Sequence, residues 1–199
     1  MRSVEPAPPP RSLSISGWGT PLLVLNESCI PIGVTKPHIV ITGLMGVGKT
    51  TTAIELAEKL DLPWRDSDRD MQCLFDLTGG EIAERDGVDE LHRLESAVLL
   101  GALGTGQPTI ICAAASVVED PACRAALANR ANVVVLEADV DEIVARASTG
   151  DHRRPIPRDD VAQLAERRAP LFAEVADLTL DATRPTEDLT SEIAVAFGS

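Results

Sequence analysis

The run Gly43-Leu-Met-Gly-Val-Gly-Lys49-Thr50 fits the pattern G-x-x-x-x-G-K-[ST] without a mismatch. A glycine-rich turn that opens a helix aims successive backbone N–H groups, and the positive end of that helix, at one spot. Phosphate oxygens fill such a spot. A lysine at the position of Lys49 reaches the β- and γ-phosphates of a nucleotide, and a hydroxyl at the position of Thr50 can hold Mg²⁺. The candidate nucleotide-binding residues here are Gly43, Met45, Gly46, Val47, Gly48, Lys49, Thr50 and Thr51.

Such a loop works only between a strand and a helix, and the flanking residues supply both. His38-Ile-Val-Ile-Thr42 reads as a short buried strand, and Thr51 to Leu60 as an amphipathic helix. Further strand signals lie at 38–42, 63–66, 108–113, 132–137 and 178–181. Helical patterns cover 49–60, 88–103, 119–129, 139–147, 159–175 and 187–197. Short strands rich in Val and Ile, alternating with helices, imply a parallel sheet covered on both faces. The expected fold is α/β, a three-layer α/β/α P-loop fold with a central five-stranded parallel sheet. Ligands in such sheets bind beyond the carboxyl ends of the strands.

Three later clusters fall where that edge of the sheet would be. Asp66-Ser67-Asp68 follows the second strand signal. One carboxylate can lie near Mg²⁺ while the other accepts a hydrogen bond from, or deprotonates, a substrate hydroxyl. The competing reading is a cap, with Ser67 or Asp68 starting a helical stretch over 69–76. Gly150-Asp-His-Arg-Arg-Pro-Ile-Pro157 is a basic, proline-punctuated loop between two helices. It is either an ordinary surface loop or one that brings guanidinium groups to a transferring phosphoryl. Arg167-Arg168-Ala-Pro-Leu-Phe172 lies within a helical pattern, which Pro170 should kink or restart. Either arginine can enter the site or stay solvated.

Composition narrows the class. The 199 residues suit one domain with a tail, and 44% apolar content supports a full core. The net charge of −13 argues against nucleic-acid and anionic-membrane partners, which need a basic face. Cys29, Cys73, Cys112 and Cys123 form no metal-spacing pattern and fit a reducing compartment. No apolar run is long enough to span a membrane, so the expected location is the cytoplasm. Residues 1–36, rich in Pro, Ser and Gly, read as a disordered extension, and 37–199 as the folded domain.

Taken together, the clusters resemble the shikimate kinase family over roughly Pro37 to Phe197. The shared order is Gly43–Thr50, Asp66-Ser-Asp68, Thr78-Gly79, Gly87 through Arg93-Leu-Glu95, Arg154-Pro155, and Arg168-Ala-Pro-Leu-Phe172. The resemblance implies transfer of the ATP γ-phosphate to a ring hydroxyl, a substrate-binding helical insert at about 67–97 and a lid at about 148–158. It implies that Lys49 and the loop amides bind phosphates, that Thr50 and Asp66 serve Mg²⁺, and that Asp68 meets the acceptor hydroxyl. It also makes Arg154 the lid clamp, sets Arg146 and the Arg184-Pro185 stretch beside adenine, and gives Arg168 the substrate carboxylate.

Departures gather on the acceptor side. The family's Phe-Arg-x-x-Glu becomes Leu91-His92-Arg93-Leu94-Glu95, so His92 stands where an arginine grips the carboxylate. An imidazole, mostly neutral at pH 7, replaces a bidentate fork. Arg93 does not replace it, because one residue turns a helix by about 100°. The family's three glycines become Ala113-Ala114-Ala115, which adds methyl groups and resists positive φ. The segment from Gly79 to Gly87 is shorter than usual by about three residues, close to one helical turn. Acceptor contacts are therefore expected from Asp68, His92, Ala114, Ala115 and Arg168. The leading expectation is an ATP- and Mg²⁺-dependent kinase of a small hydroxylated acceptor, either shikimate or, preferentially, a related molecule, acting as a monomer. The alternatives are a non-catalytic ATP-binding module and a nucleoside or nucleotide kinase.

Overall fold

The computed structural model describes residues 36–148 and 157–198. The expected N-terminal extension up to residue 35, most of the expected lid, and Arg154 lie outside the described residues. Five strands form one sheet: β1 (His38–Gly43), β2 (Trp64–Asp66), β3 (Ile110–Cys112), β4 (Ala131–Glu137) and β5 (Leu178–Asp181). Their order is β2-β3-β1-β4-β5, and every pairing is parallel.

Alternation along the strands divides the interior in two. Ile39 and Ile41 of β1, Val134 and Leu136 of β4, and Cys112 of β3 face one side. There they meet Leu56 of α1 (Lys49–Leu60) and Ile193 of α8 (Thr186–Phe197). Val40, Val133, Val135 and Ile111 face the other side. They pack on α4 (Val88–Leu103), α5 (Pro121–Arg130) and α7 (Arg158–Val175) through Leu99, Leu127 and Phe172. A fully buried Val or Ile contributes about 2 kcal/mol, and both faces of β1 carry such residues, so the strand that leads into the glycine loop is held from both sides. His38, at the start of β1, is fully buried. Its Nε2 faces the Thr105 carbonyl at 3.1 Å and must donate to it, which leaves Nδ1 as the bare nitrogen. Burial holds this imidazole below its ordinary pKa, so it remains neutral.

The remaining elements are α2 (Ser67–Phe75), α3 (Gly79–Asp86) and α6 (Val140–Ser148). With α4, α2 and α3 form a separate small core of Met71, Ile82 and Val98, packed by Leu77, Leu91 and Leu94. Thr78 starts α3 with a reciprocal cap: it accepts from Glu81 N, and the Glu81 carboxylate accepts from Thr78 N at 2.8 Å.

Three local expectations are corrected. The cap of α2 is Asp66, whose side chain accepts from Asp68 N, and not Ser67 or Asp68. The helix expected over 119–129 is α5, which Pro121 and the Asp120 cap start two residues later; a 3-10 turn, Ala115–Glu119, precedes it. Helix α7 runs through Pro170 to Val175 without a restart. Buried Arg168, Phe172 and Val175 anchor that stretch on both sides of the proline.

Two loop glycines are needed for different reasons. Gly43 has φ +138°, and a Cβ built there would stand 2.3 Å from the Leu136 carbonyl oxygen of the neighbouring strand. Gly48 has φ +104°, with nothing within 4 Å of such a Cβ. Gly48→Ala should therefore lose only the left-handed backbone term, about 1–2 kcal/mol. Gly43→Ala adds a backbone clash and should lose about 3 kcal/mol or more. Urea unfolding of the two variants checks the order, and an equal loss would contradict it.

Candidate active site

The strand ends bring the glycine loop and the aspartate pair to one edge of the sheet. Asp66 and Ile41 both pair with Cys112 in register, so β1 and β2 end on either side of β3. Lys49 Nζ donates to the carbonyls of Gly43 and Leu44, at 3.0 Å each, which folds the ammonium over the loop. Thr50 Oγ1 donates to Asp66 Oδ2 at 2.8 Å, and Asp66 Oδ1 accepts from Asp68 N at 2.9 Å. One buried carboxylate thus joins the loop threonine to the start of α2. Asp68, the second residue of that helix, remains exposed.

Two hard oxygens side by side, Thr50 Oγ1 and Asp66 Oδ2, suit Mg²⁺, which takes one or two protein oxygens and completes its shell with water and phosphate. Among the described residues no cluster of three His, Cys, Asp or Glu side chains offers an all-protein cage. The site therefore fits a phosphate-bound Mg²⁺ and not an independent metal. Cys112 lies 3.7 Å from Thr50 Oγ1. Burial, reinforced by Asp66, pushes its thiol up to about 12, so it stays protonated and unreactive.

On the other side of the loop a groove of about 510 Å³ opens beside Gly46, Thr51, Arg146, Arg184 and Pro185. Arg146 crosses from α6, donating to Ala182 O at 3.1 Å and to Val47 O at 3.4 Å, with its Nε on Glu142 at 2.8 Å. The groove continues directly from the glycine loop. A flat base can lie there while its phosphates enter the loop.

Beyond Asp68 lies a second constellation. His92 and Glu95 come from α4, Ser116 and Glu119 from the 3-10 turn, and Arg167 and Arg168 from α7. Arg168 is only 4% exposed. Its Nε donates to Glu119 Oε1 at 2.6 Å, and Arg167 Nη2 donates to the same oxygen at 2.8 Å. Burial works to raise the Glu119 carboxyl, but the two guanidinium groups outweigh it and hold it below the ordinary carboxylate value. Burial and the charge of Arg168 lower His92. Burial raises Glu95, opposed by the Ser116 hydroxyl bonded to it, and the field of Asp68 raises it further. The charges of Arg168 and Lys49 oppose that rise.

Arg93 points away from the constellation and pairs with Glu90 on the exposed face of α4, as the helical rotation requires. Ala113 is buried, and its amide donates to Ile41 O at 2.9 Å. Ala114 has φ −60° and Ala115 begins the 3-10 turn. No residue of this triplet is in the left-handed region, so the methyl groups reshape the wall without backbone strain. Sequence reasoning missed Glu119 and Ser116, which belong to no motif. A signal existed all the same: a buried guanidinium demands a counter-charge, and Glu119 supplies it.

The comparisons with known proteins agree with this layout. A family model described as Shikimate kinase matches residues 45–197. Curated shikimate kinases from Mesorhizobium japonicum and Shewanella frigidimarina are similar. The first is 33% identical over 162 residues, 79% of this chain and 77% of that protein. The second is 35% identical over 151 residues, 72% of this chain and 85% of that protein. The solved structure of the Acinetobacter baumannii shikimate kinase in complex with shikimate superposes with a TM-score of 0.75 at 28% identity, covering 81% of this chain and 93% of that one. On the loop, the sheet order and these matches, the chain belongs to the shikimate kinase family of ATP-dependent phosphotransferases with an alcohol group as acceptor.

Proposed function

We propose that the chain phosphorylates a hydroxyl of a small, shikimate-sized acceptor, and that the residues at this edge of the sheet divide the work as follows. Lys49 and the amides from Gly43 to Thr51 hold the phosphates, while Arg146 and Pro185 flank the adenine. Thr50 and Asp66 are the protein oxygens that would hold Mg²⁺. Bound there, Mg²⁺ would neutralise charge on the phosphate oxygens. Asp68 accepts the proton of the acceptor hydroxyl. The freed oxygen bonds to the γ-phosphorus as the bond to the β–γ bridging oxygen breaks, and ADP leaves. Lys49 and, from the lid, Arg154 carry the charge that spreads over the transferring phosphoryl. His92, Ala114, Ala115 and Arg168 line the acceptor's place.

The observation that carries this reading is the hydrogen-bonded chain from Thr50 through Asp66 to Asp68 N. It sets a free carboxylate beside the phosphate loop by way of a buried one. A module that only binds nucleotide has no use for the exposed member.

Turnover is measured as ADP release against a panel of polyols, cyclitols, sugars and hydroxy acids. Lys49→Ala serves as the blank. Asp68→Asn should lower kcat by about 10²–10⁴-fold and leave nucleotide affinity within about threefold, read by calorimetric titration. Equal loss of both would place Asp68 in a structural role. If ATP binds and no acceptor is phosphorylated, the binding-module reading takes over. Thr50→Ala should raise the Mg²⁺ concentration needed for half-maximal turnover by about tenfold or more. An unchanged Mg²⁺ dependence would remove Thr50 from the metal's surroundings.

A further inference from the structure

Two guanidinium groups meet one carboxylate beyond Asp68. Glu119 Oε1 accepts from Arg168 Nε at 2.6 Å and from Arg167 Nη2 at 2.8 Å. No other carboxylate ion-pairs with either arginine among the described residues. Two positive charges against one negative leave the trio with one positive charge in surplus. The geometry shows which residue can offer that charge to a ligand. Glu119 takes Arg168 by its Nε edge, and the two terminal nitrogens of Arg168 have no partner among the described residues. They are not sealed in the core either, so they stay open to an incoming anion. The Arg167 side chain is 58% exposed and spends Nη2 on Glu119. Position 92 adds no charge of its own, because burial and the two arginines hold the His92 imidazole below its ordinary value. Without Arg167, Glu119 alone would cancel Arg168.

We propose that Arg167 keeps Arg168 available to an anionic group of the acceptor by taking up the charge of Glu119, so that this end of the site retains a net positive charge although no arginine stands at position 92. Arg167 is a positioning residue in this scheme. It acts through Glu119 and need not touch the acceptor. The two neighbouring arginines thus have different tasks: the buried one meets the ligand and the exposed one balances the carboxylate beside it. The proposal rests on the place given to Arg168 beside the acceptor.

Shikimate and its analogue with the carboxylate replaced by CH₂OH form a matched pair of ligands. Calorimetric titration of the full chain measures binding of each without requiring turnover. Wild type should bind shikimate the tighter of the two. Arg167→Gln should weaken shikimate by about five- to tenfold, the scale of one charge a few ångströms away in a half-solvated setting, and change the neutral analogue by less than about twofold. Arg167→Lys keeps the charge and should recover most of that loss. Lys49, Asp68 and Glu95 are unchanged throughout and drop out of the comparison. Equal weakening of both ligands by Arg167→Gln would overturn the proposal, leaving a purely structural ion pair. So would unchanged binding of both, or a loss in Arg167→Lys as large as in Arg167→Gln. A wild type that binds the analogue as tightly as shikimate, or binds neither, overturns it without any variant. ADP release measured in parallel separates the two readings. Selective binding of shikimate without turnover on any acceptor counts against the proposed kinase chemistry alone. Turnover of shikimate with a KM that Arg167→Gln leaves unchanged counts against this proposal alone.

Discussion

Both oxygens of the Asp66 carboxylate are engaged, and most of the site follows from that. One accepts from the Asp68 amide and starts α2; the other accepts from the Thr50 hydroxyl. A buried carboxylate must find such partners, because burying it without them would cost several kcal/mol, on the order of the penalty for an unpaired ion. Here the partners come from two different elements. The bond that satisfies Asp66 therefore also fixes where the phosphate loop stands relative to the acceptor helices. Capping and metal binding, which look like rival roles for a D-x-D pair, are compatible in this geometry. Asp66 caps with one oxygen and keeps the other beside Thr50, and Asp68 is left exposed.

The sheet makes that arrangement possible. Gly43 passes so close to the Leu136 carbonyl that no side chain fits, which lets β1 stay paired with β4 to its last residue, Gly43 against Leu136. The loop then turns at the sheet edge and not above it. On its other side Arg146 reaches the backbone of Val47 and Ala182, so α6 and the segment after β5 close a groove against the loop. The glycine loop, the groove beside it and the charged cluster beyond Asp68 thus share one scaffold but answer to different constraints. The first two are governed by backbone geometry. The third is governed by charge compensation among Arg167, Arg168, Glu119, His92 and Glu95.

That difference explains what could be read in advance. The five strands, the long helices and the loop were legible, because apolar periodicity and glycine placement are local properties of the chain. So were Lys49, Thr50, Asp66 and Asp68, whose spacing is constrained by a single strand–loop–helix or strand–helix unit. The short helices α2 and α3 carried little periodicity, since each buries only one or two residues in a satellite core. The helix read from 119 begins two residues later, because Glu119 closes a 3-10 turn and Pro121 opens α5. Pro170 starts no new helix, because the contacts of Arg168, Phe172 and Val175 outweigh its local preference.

The motif spacing by itself determined that this chain binds a nucleotide's phosphates at a parallel sheet edge and that carboxylates stand beside them. Local backbone geometry is enough for that. Only the tertiary structure decided how the charges of the cluster beyond Asp68 are paired. Glu119 lies 49 residues before Arg168 in the chain, and Glu95 lies 21 before Ser116. No pattern along the sequence says that such distant groups will neutralise each other. The packing of α7 on the 3-10 turn brings them within hydrogen-bond distance, and in a buried setting that distance decides which charges remain for a ligand.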